Sequence, residues 1–279
     1  MRLLVTGSRG QLGRALERAA PSLGHDFAGY DLPELDITDA AAVHAVVRGA
    51  KPDAVINCAA FTAVDAAETE AERALAVNGT AVAGLAAAAD AVGALLVQIS
   101  TDYVFDGTSR RPYREDDPVN PQSVYGKTKF AGERAAAAAR RHLVARTAWL
   151  FGEGANFVAA IRRQIEAGAS TLRVVGDQRG CPTYAEDLAG ALLRLLELGA
   201  EGTVHAVNAG EASWFEFAGE IVRRVGADVT VIPIATAEAA RPAPRPARAI
   251  LDTGRLQALL GGGLRPWQEA RGEYLRLGA

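Results

Sequence analysis

Short apolar runs alternate with longer helical stretches through the first half of this chain, and that rhythm constrains the fold more than any other feature. "RLLVTG" leads into a helix from about residue 11, then "HDFAGYD" into a helix around 39–49. "AVINCAA" precedes an Ala-rich helix over roughly 71–92, followed by "ALLVQIST", the helix carrying "SVYGKTKFAGE", and a strand within "HLVARTAWLFG". The apolar runs are continuous rather than alternating, as strands buried on both faces must be. Strand–helix–strand succession then implies an α/β fold with a parallel sheet covered on both sides.

Beyond residue 152 the order loosens. "RVVGDQRGCPTYAEDLAGALLRLL" reads as a strand, a turn and a helix whose entry is capped around Thr183, and "SWFEFAGEIVRRVG" as another helix. The prolines of "ARPAPRPARAIL" remove donors and fix φ, which predicts an extended surface loop. With 279 residues, 49% of them apolar, the chain can bury a substantial core. A net charge of −3 offers no electrostatic case for a nucleic acid or an anionic membrane as partner. Cys58 and Cys181 lie far apart, without metal-ligand spacing. No apolar run approaches the roughly 18–20 residues of a membrane span. The N-terminus enters a strand without a charged-then-apolar leader. The expectation is a soluble cytoplasmic protein with no resident metal.

"VTGSRGQLG" places Gly7, Gly10 and Gly13 between the first strand and the first helix. Glycines there allow a tight turn and let backbone N–H groups approach a pyrophosphate at a helix N-terminus. The spacing is G-x-x-G-x-x-G rather than the usual dinucleotide fingerprint, so its position after a buried strand carries the reading. Asp31 ends the second strand, where a carboxylate can bond the ribose hydroxyls of NAD; Arg9 in the loop can instead hold a 2′-phosphate. NADPH and NADH therefore both remain open. Asp36 and Ile37 would lie near the adenine, although Asp36 can equally cap a helix starting near Thr38. The domains implied are a Rossmann-type dinucleotide-binding unit over 1–150 and a smaller substrate-binding lobe over 151–279 with segments returning to the first.

"ISTDYVFDG" ends a strand at the side where ligands bind in parallel sheets, which places Ser100, Thr101 and Asp102 at the site. Tyr125 and Lys129 stand one turn apart on the next helix, sharing a face. A phenol is a poor acid–base group at neutral pH. A neighbouring ammonium is expected to lower its pKa while also bonding the nicotinamide ribose. Thr101 can hydrogen-bond the substrate oxygen beside the phenol. Hydride transfer with proton relay suits this set.

These residues resemble those of the extended short-chain dehydrogenase/reductases, and within them the dTDP-4-dehydrorhamnose reductases. The matching stretches are "GQLG", "PDAVINCAAFTAVDAAE", "STDYVFDG", "VYGKTKFAGE", "RTAWLFG", "DQRGCPTYAEDLA" and "RPARAILDT", nearly the whole chain. The resemblance implies Tyr125 as proton donor, Lys129 as its partner and ribose ligand, and Thr101 as carbonyl ligand. It implies substrate contacts from Thr101, Asp102, Tyr125 and Trp149. For the cofactor it implies Gly10, Gln11, Leu12, Asp31, Asp36, Ile37, Ala60, Phe61, Thr62 and Ile99 beside Tyr125 and Lys129, with Gly7 in the same loop. The substrate is then a nucleotide sugar, dTDP-4-dehydro-β-L-rhamnose, reduced at its 4-keto group.

Val64 and Asn156 are candidates for the sugar pocket, although Asn156 can instead cap the following helix, and Arg245 or Arg248 are candidates for the substrate diphosphate. Some members bridge a homodimer through a metal held by acidic residues. Here Arg14-Ala15 follows the third glycine, and Glu186 alone does not restore such a site. The competing functions are a reductase of a related keto-deoxysugar in antibiotic biosynthesis and a non-catalytic NAD(P)-binding regulatory subunit. A 4,6-dehydratase would need a second carboxylate after Asp102, where this chain has Tyr103.

Overall fold

In the computed structural model, which describes residues 1–276, successive side chains of each central strand enter different cores. Leu3, Val5, Ile56, Val97, Leu143 and Ala145 point to one. Leu4, Val55, Leu96 and Val144 point to the other. Apolar residues are needed at every position, which is why these strands read as unbroken apolar runs.

The first half runs β1 (Arg2–Thr6), α1 (Gln11–Ser22), β2 (Asp26–Tyr30), α2 (Ala40–Ala50), β3 (Ala54–Asn57), the short α3 (Val64–Ala67), α4 (Ala71–Leu75), a π-helical turn (Ala76–Thr80) and α5 (Ala81–Val92). It continues through β4 (Leu95–Thr101), a 3₁₀ turn (Asp102–Val104), α6 (Val124–Ala136) and β5 (His142–Thr147). The second half comprises β6 (Leu150–Phe151), α7 (Phe157–Glu166), β7 (Thr171–Val175), β8 (Arg179–Gly180), β9 (Thr183–Tyr184), α8 (Ala185–Glu197) and β10 (Gly202–His205). It ends with β11 (Ala212–Ser213), α9 (Trp214–Val225), β12 (Thr230–Ile234), α10 (Thr236–Ala239), α11 (Gly254–Leu260) and α12 (Trp267–Arg276).

The main sheet is six-stranded, in the order β2-β1-β3-β4-β5-β10, and parallel throughout. The fold is thus α/β and of Rossmann type. α1 and α8 cover one face; α2, α5 and α6 cover the other. α8 and β10 come from the second half yet complete the first core, with Val204 of β10 paired to Ala145 of β5. A separate core around Phe151, Tyr184, Phe217 and Trp267 gathers α7, α9 and α12.

Several local expectations need correction. α2 is capped by Asp39, whose Oδ1 accepts from the Ala42 N–H at 3.0 Å, and not by Asp36. α8 starts after Tyr184, while the Thr183 hydroxyl turns back to the Cys181 carbonyl. The Pro-rich loop is extended but partly buried: Ala243 and Ala249 are 3% and 1% exposed. Finally, Ala71–Val92 forms a continuous 22-residue helical stretch of mean hydropathy 1.5, long and apolar enough to pass the length test for a membrane span. Its apolarity is spread over many alanines, which hides it in a search for large apolar runs. In the fold it packs against α2 and α6.

Candidate active site

The strand order reverses at β1, which lies between β2 and β3, so the carboxyl end of β1 opens onto a crevice. The glycine loop sits there for steric reasons. Gly7 has φ +66°, and a Cβ on it would lie 2.5 Å from the Ala59 nitrogen. A Cβ on Gly13 would collide with the Gly7 carbonyl oxygen. With both absent, α1 begins directly at the crevice, with its N-terminal N–H groups facing it.

The crevice is a cleft of about 660 Å³. Gly7, Gly10, Gln11, Leu12, Asp31, Asp36, Ile37, Ala60, Phe61, Thr62, Ile99, Thr101, Tyr125, Lys129 and Trp149 all line it. Asp102 does not; it lies behind Thr101, 2% exposed. A dinucleotide fits this lining on the structure's own terms. The glycine cradle leaves room for a pyrophosphate, and the buried Gln11 Oε1 has no hydrogen-bond partner among the described residues. At the β2 end, the Asp31 carboxylate accepts from the Arg9 N–H at 2.9 Å and the Leu32 N–H at 2.8 Å. Arg9 also lines the cleft, its guanidinium donating to the Leu32 carbonyl and pairing with Glu34. Asp36 lines the cleft while its Oδ1 accepts from both the backbone and the hydroxyl of Thr38.

At the other end, α6 is set by Ser123, whose Oγ accepts from the Gly126 N–H at 3.0 Å. Its inward face carries Tyr125, Lys129 and Glu133 in succession. Lys129 Nζ donates to the Ile99 carbonyl at 2.6 Å. Burial pulls this ammonium down to about 8. Glu133 accepts from Arg146 through both oxygens, at 2.9 and 2.8 Å, and from Ser100 Oγ.

The expected lowering of the Tyr125 pKa is not found. Burial, the largest influence on it, pushes it up to about 12. The ammonium is committed to Ile99, so desolvation of the phenol prevails.

Trp149 enters the cleft from a strained backbone, φ +46°, just past the end of β5. Its indole stacks on Trp214 of α9 with centroids 3.5 Å apart and planes 5° from parallel. Gly180 makes room for that ring, since a Cβ there would overlap the indole.

Residues 1–278 match the family model described as "RmlD substrate binding domain". The dTDP-4-dehydrorhamnose reductase of Streptomyces griseus is 46% identical over 278 residues, 96% of this chain and 91% of that one. The chain belongs to this family. A crystal structure of a dTDP-4-dehydrorhamnose reductase from Clostridium acetobutylicum is 43% identical, superposes with a TM-score of 0.96, and is covered to 99%, as is this chain. One from Bacillus anthracis, in complex with NADP, is 35% identical with a TM-score of 0.95 and 99% coverage of both chains.

In this member of the RmlD family, the two arginines considered for the diphosphate are engaged elsewhere. Arg245 makes a two-pronged pair with Asp65 of α3, at 3.0 and 2.9 Å. Arg248 pairs with Glu211 at 2.9 Å, beside Arg179. Asn156 caps α7, with its Oδ1 accepting from the Ala159 N–H at 3.0 Å, and Val64 does not line the cleft. Glu186 is paired with Arg18; among the described residues no group of three or more His, Cys, Asp or Glu is placed to hold a metal.

Sequence reasoning missed Asn78, Gln98 and Trp214. Asn78 clamps both the N–H and the carbonyl of Phe61, at 2.8 and 3.0 Å, and so holds the cleft wall. Gln98 bridges Asn57 and the Ile99 carbonyl that receives Lys129. No local pattern marks them, because each acts on a residue distant in sequence or on a backbone group.

Proposed function

We propose that this chain catalyses reduction of the 4-keto group of dTDP-4-dehydro-β-L-rhamnose to dTDP-L-rhamnose, using NADPH or NADH. The observation that carries the reading is the convergence of Thr101, Tyr125 and Lys129 at one end of a dinucleotide-sized cleft, in a chain of this family. The bound reduced nicotinamide supplies the hydride. Tyr125 delivers the proton to the oxygen of the developing alkoxide. A phenol held near 12 stays protonated at neutral pH, so it is ready as an acid, and an alkoxide is basic enough to take its proton. Lys129, fixed to the Ile99 carbonyl, directs its remaining N–H bonds toward the cofactor ribose. Thr101 offers a hydrogen bond to the reacting oxygen.

In this reading residues 1–150, with the returning α8 and β10, bind the dinucleotide, and the lobe around Trp149 and Trp214 holds the sugar. Asp31 would take the ribose hydroxyls of NADH. For NADPH, Arg9 would leave Glu34 and take the 2′-phosphate. The setting is the cytoplasm.

The test is consumption of NADPH and of NADH with dTDP-4-dehydro-β-L-rhamnose, with wild type beside Tyr125→Phe. The expected outcome is turnover by wild type and a loss of about 10²–10⁴-fold in kcat in the variant, with cofactor binding retained. No turnover by wild type sinks the reading, and related keto-deoxysugars are the next substrates to offer.

A further inference from the structure

A threonine hydroxyl has one proton to donate. Thr101 Oγ1 gives it to Asp102 Oδ1 at 3.0 Å and accepts from the Tyr103 N–H at 3.2 Å. Held that way, Thr101 lines the cleft yet has no proton to offer an oxygen in it. The donor role assigned above needs the hydroxyl to turn round, and it can turn only if something else satisfies the contact with Asp102.

Asp102 has the surroundings of an acid that keeps its proton. It is 2% exposed, and its Oδ2 is buried with no hydrogen-bond partner among the described residues. A carboxylate left in that state is costly, whereas a neutral carboxyl group is far less so. The titratable groups packed around it are Tyr103 from its own turn, Tyr125 from α6 and Cys181 from the segment between β8 and β9. Burial raises all three above their ordinary values, so each is uncharged at neutral pH and none neutralises a carboxylate. Arg245, which acts on Tyr103, and Arg248, which acts on Cys181, are paired with Asp65 and Glu211.

We propose that Asp102 works as a neutral acid, donating its proton to Thr101 Oγ1 and thereby turning the threonine hydroxyl toward the substrate oxygen. Asp102 is then a positioning residue. It exchanges no proton with substrate, and the transferred proton still comes from the Tyr125 phenol. The substrate oxygen in this statement rests on the reductase reading; the protonation state of Asp102 does not.

Burial pushes the Asp102 carboxyl up to about 7. As pH rises through that value Asp102 ionises, recaptures the Thr101 proton as an acceptor, and the reacting oxygen loses a donor. Losing one such donor costs on the order of a hundredfold in kcat. Lys129, held at about 8, is the other group that titrates in this range.

The experiment is the pH dependence of kcat for wild type and Asp102→Asn, whose amide N–H₂ donates at every pH. The wild-type alkaline limb should begin near pH 7 and steepen above about 8, while the variant should keep only the later limb. A wild-type rate flat to pH 8, or an early limb that survives in the variant, overturns the proposal. So does a variant that raises KM alone with an unchanged profile, which would make Asp102 a plain substrate contact. An infrared titration of the free protein decides independently of any sugar and of whether Asp102→Asn folds. A carboxylic acid carbonyl band at pH 6, perturbed by Thr101→Val, is expected; its absence overturns the proposal. A protein that shows the band but reduces no keto-sugar overturns the reductase reading and leaves the neutral Asp102 standing.

Discussion

At the scale of single residues, the site accepts a penalty in stability to hold its chemistry. Lys129 is 3% exposed, and its ammonium is depressed from 10.5 to about 8 by burial. A shift of that size corresponds to about 3 kcal/mol of cost for the charged form at neutral pH. The folded lysine releases its proton before the unfolded one does. Stability therefore rises as pH climbs between about 8 and 10.5, where the unfolded chain binds more protons. Lys129→Met is accordingly expected to abolish turnover while raising the Tm at pH 7, and the gain should fade as pH approaches 10.5. Thermal melts across that range check this, and a variant less stable at pH 7 would show that the bond to Ile99 outweighs the desolvation. The Tyr/Lys pair was legible in the sequence as a one-turn spacing. The direction of the phenol's pKa was not, because it depends on which partner the ammonium chooses.

At the scale of elements, the stretch 71–92 is instructive. Its alanines announced a helix, and a helix forms, but a π turn at Ala76–Thr80 interrupts it. The extra residue rotates Asn78 inward to clamp Phe61 and to reach Thr128 Oγ1 on α6 at 3.1 Å. α6 accommodates it through Gly132, where any Cβ would overlap the Asn78 carbonyl oxygen. Such insertions gather at functional sites. Asn78→Ala leaves the Phe61 backbone groups without their partner. It should cost about 1–3 kcal/mol and weaken cofactor binding through the Ala60–Thr62 wall. Denaturant melts and cofactor titration measure the two separately; an unchanged cofactor affinity would confine Asn78 to stability. Helix propensity is a local quantity, whereas the π turn is a compromise between two helices.

At the scale of the whole molecule, the surroundings of the cleft are fastened together by segments far apart in sequence. The Pro-rich loop is tied to α3 through Arg245 and Asp65, and to Gly107, whose φ of +76° brings it against Pro246. The Arg248 N–H donates to the Gly107 carbonyl at 3.0 Å. On the lobe side, Trp214 backs Trp149, and Phe157 supports Trp214 at 4.6 Å between centroids. Trp214→Ala frees the strained Trp149. Steady-state kinetics should show the KM for the nucleotide sugar rising about tenfold, since lost aromatic packing is worth about 0.5–1.5 kcal/mol, with the KM for NADPH unchanged. Equal effects on both would indicate a general loosening of the lobe instead.

The residues alone determined the parallel α/β sheet, because a strand buried on both faces must be apolar throughout, and they determined the glycine loop, because glycines between a buried strand and a helix allow a tight turn with its N–H groups open to a ligand. The identity of Thr101, Tyr125 and Lys129 was equally visible, since the strand end and the helix turn place them by local geometry. Tertiary structure decided what these groups can do. The return of α8 and β10 to the first core, the capture of Arg245 by Asp65, the Asn78 clamp and the isolation of Asp102 are contacts between residues distant in the chain. Whether a carboxyl group keeps its proton depends on the water and charges around it, and folding sets both.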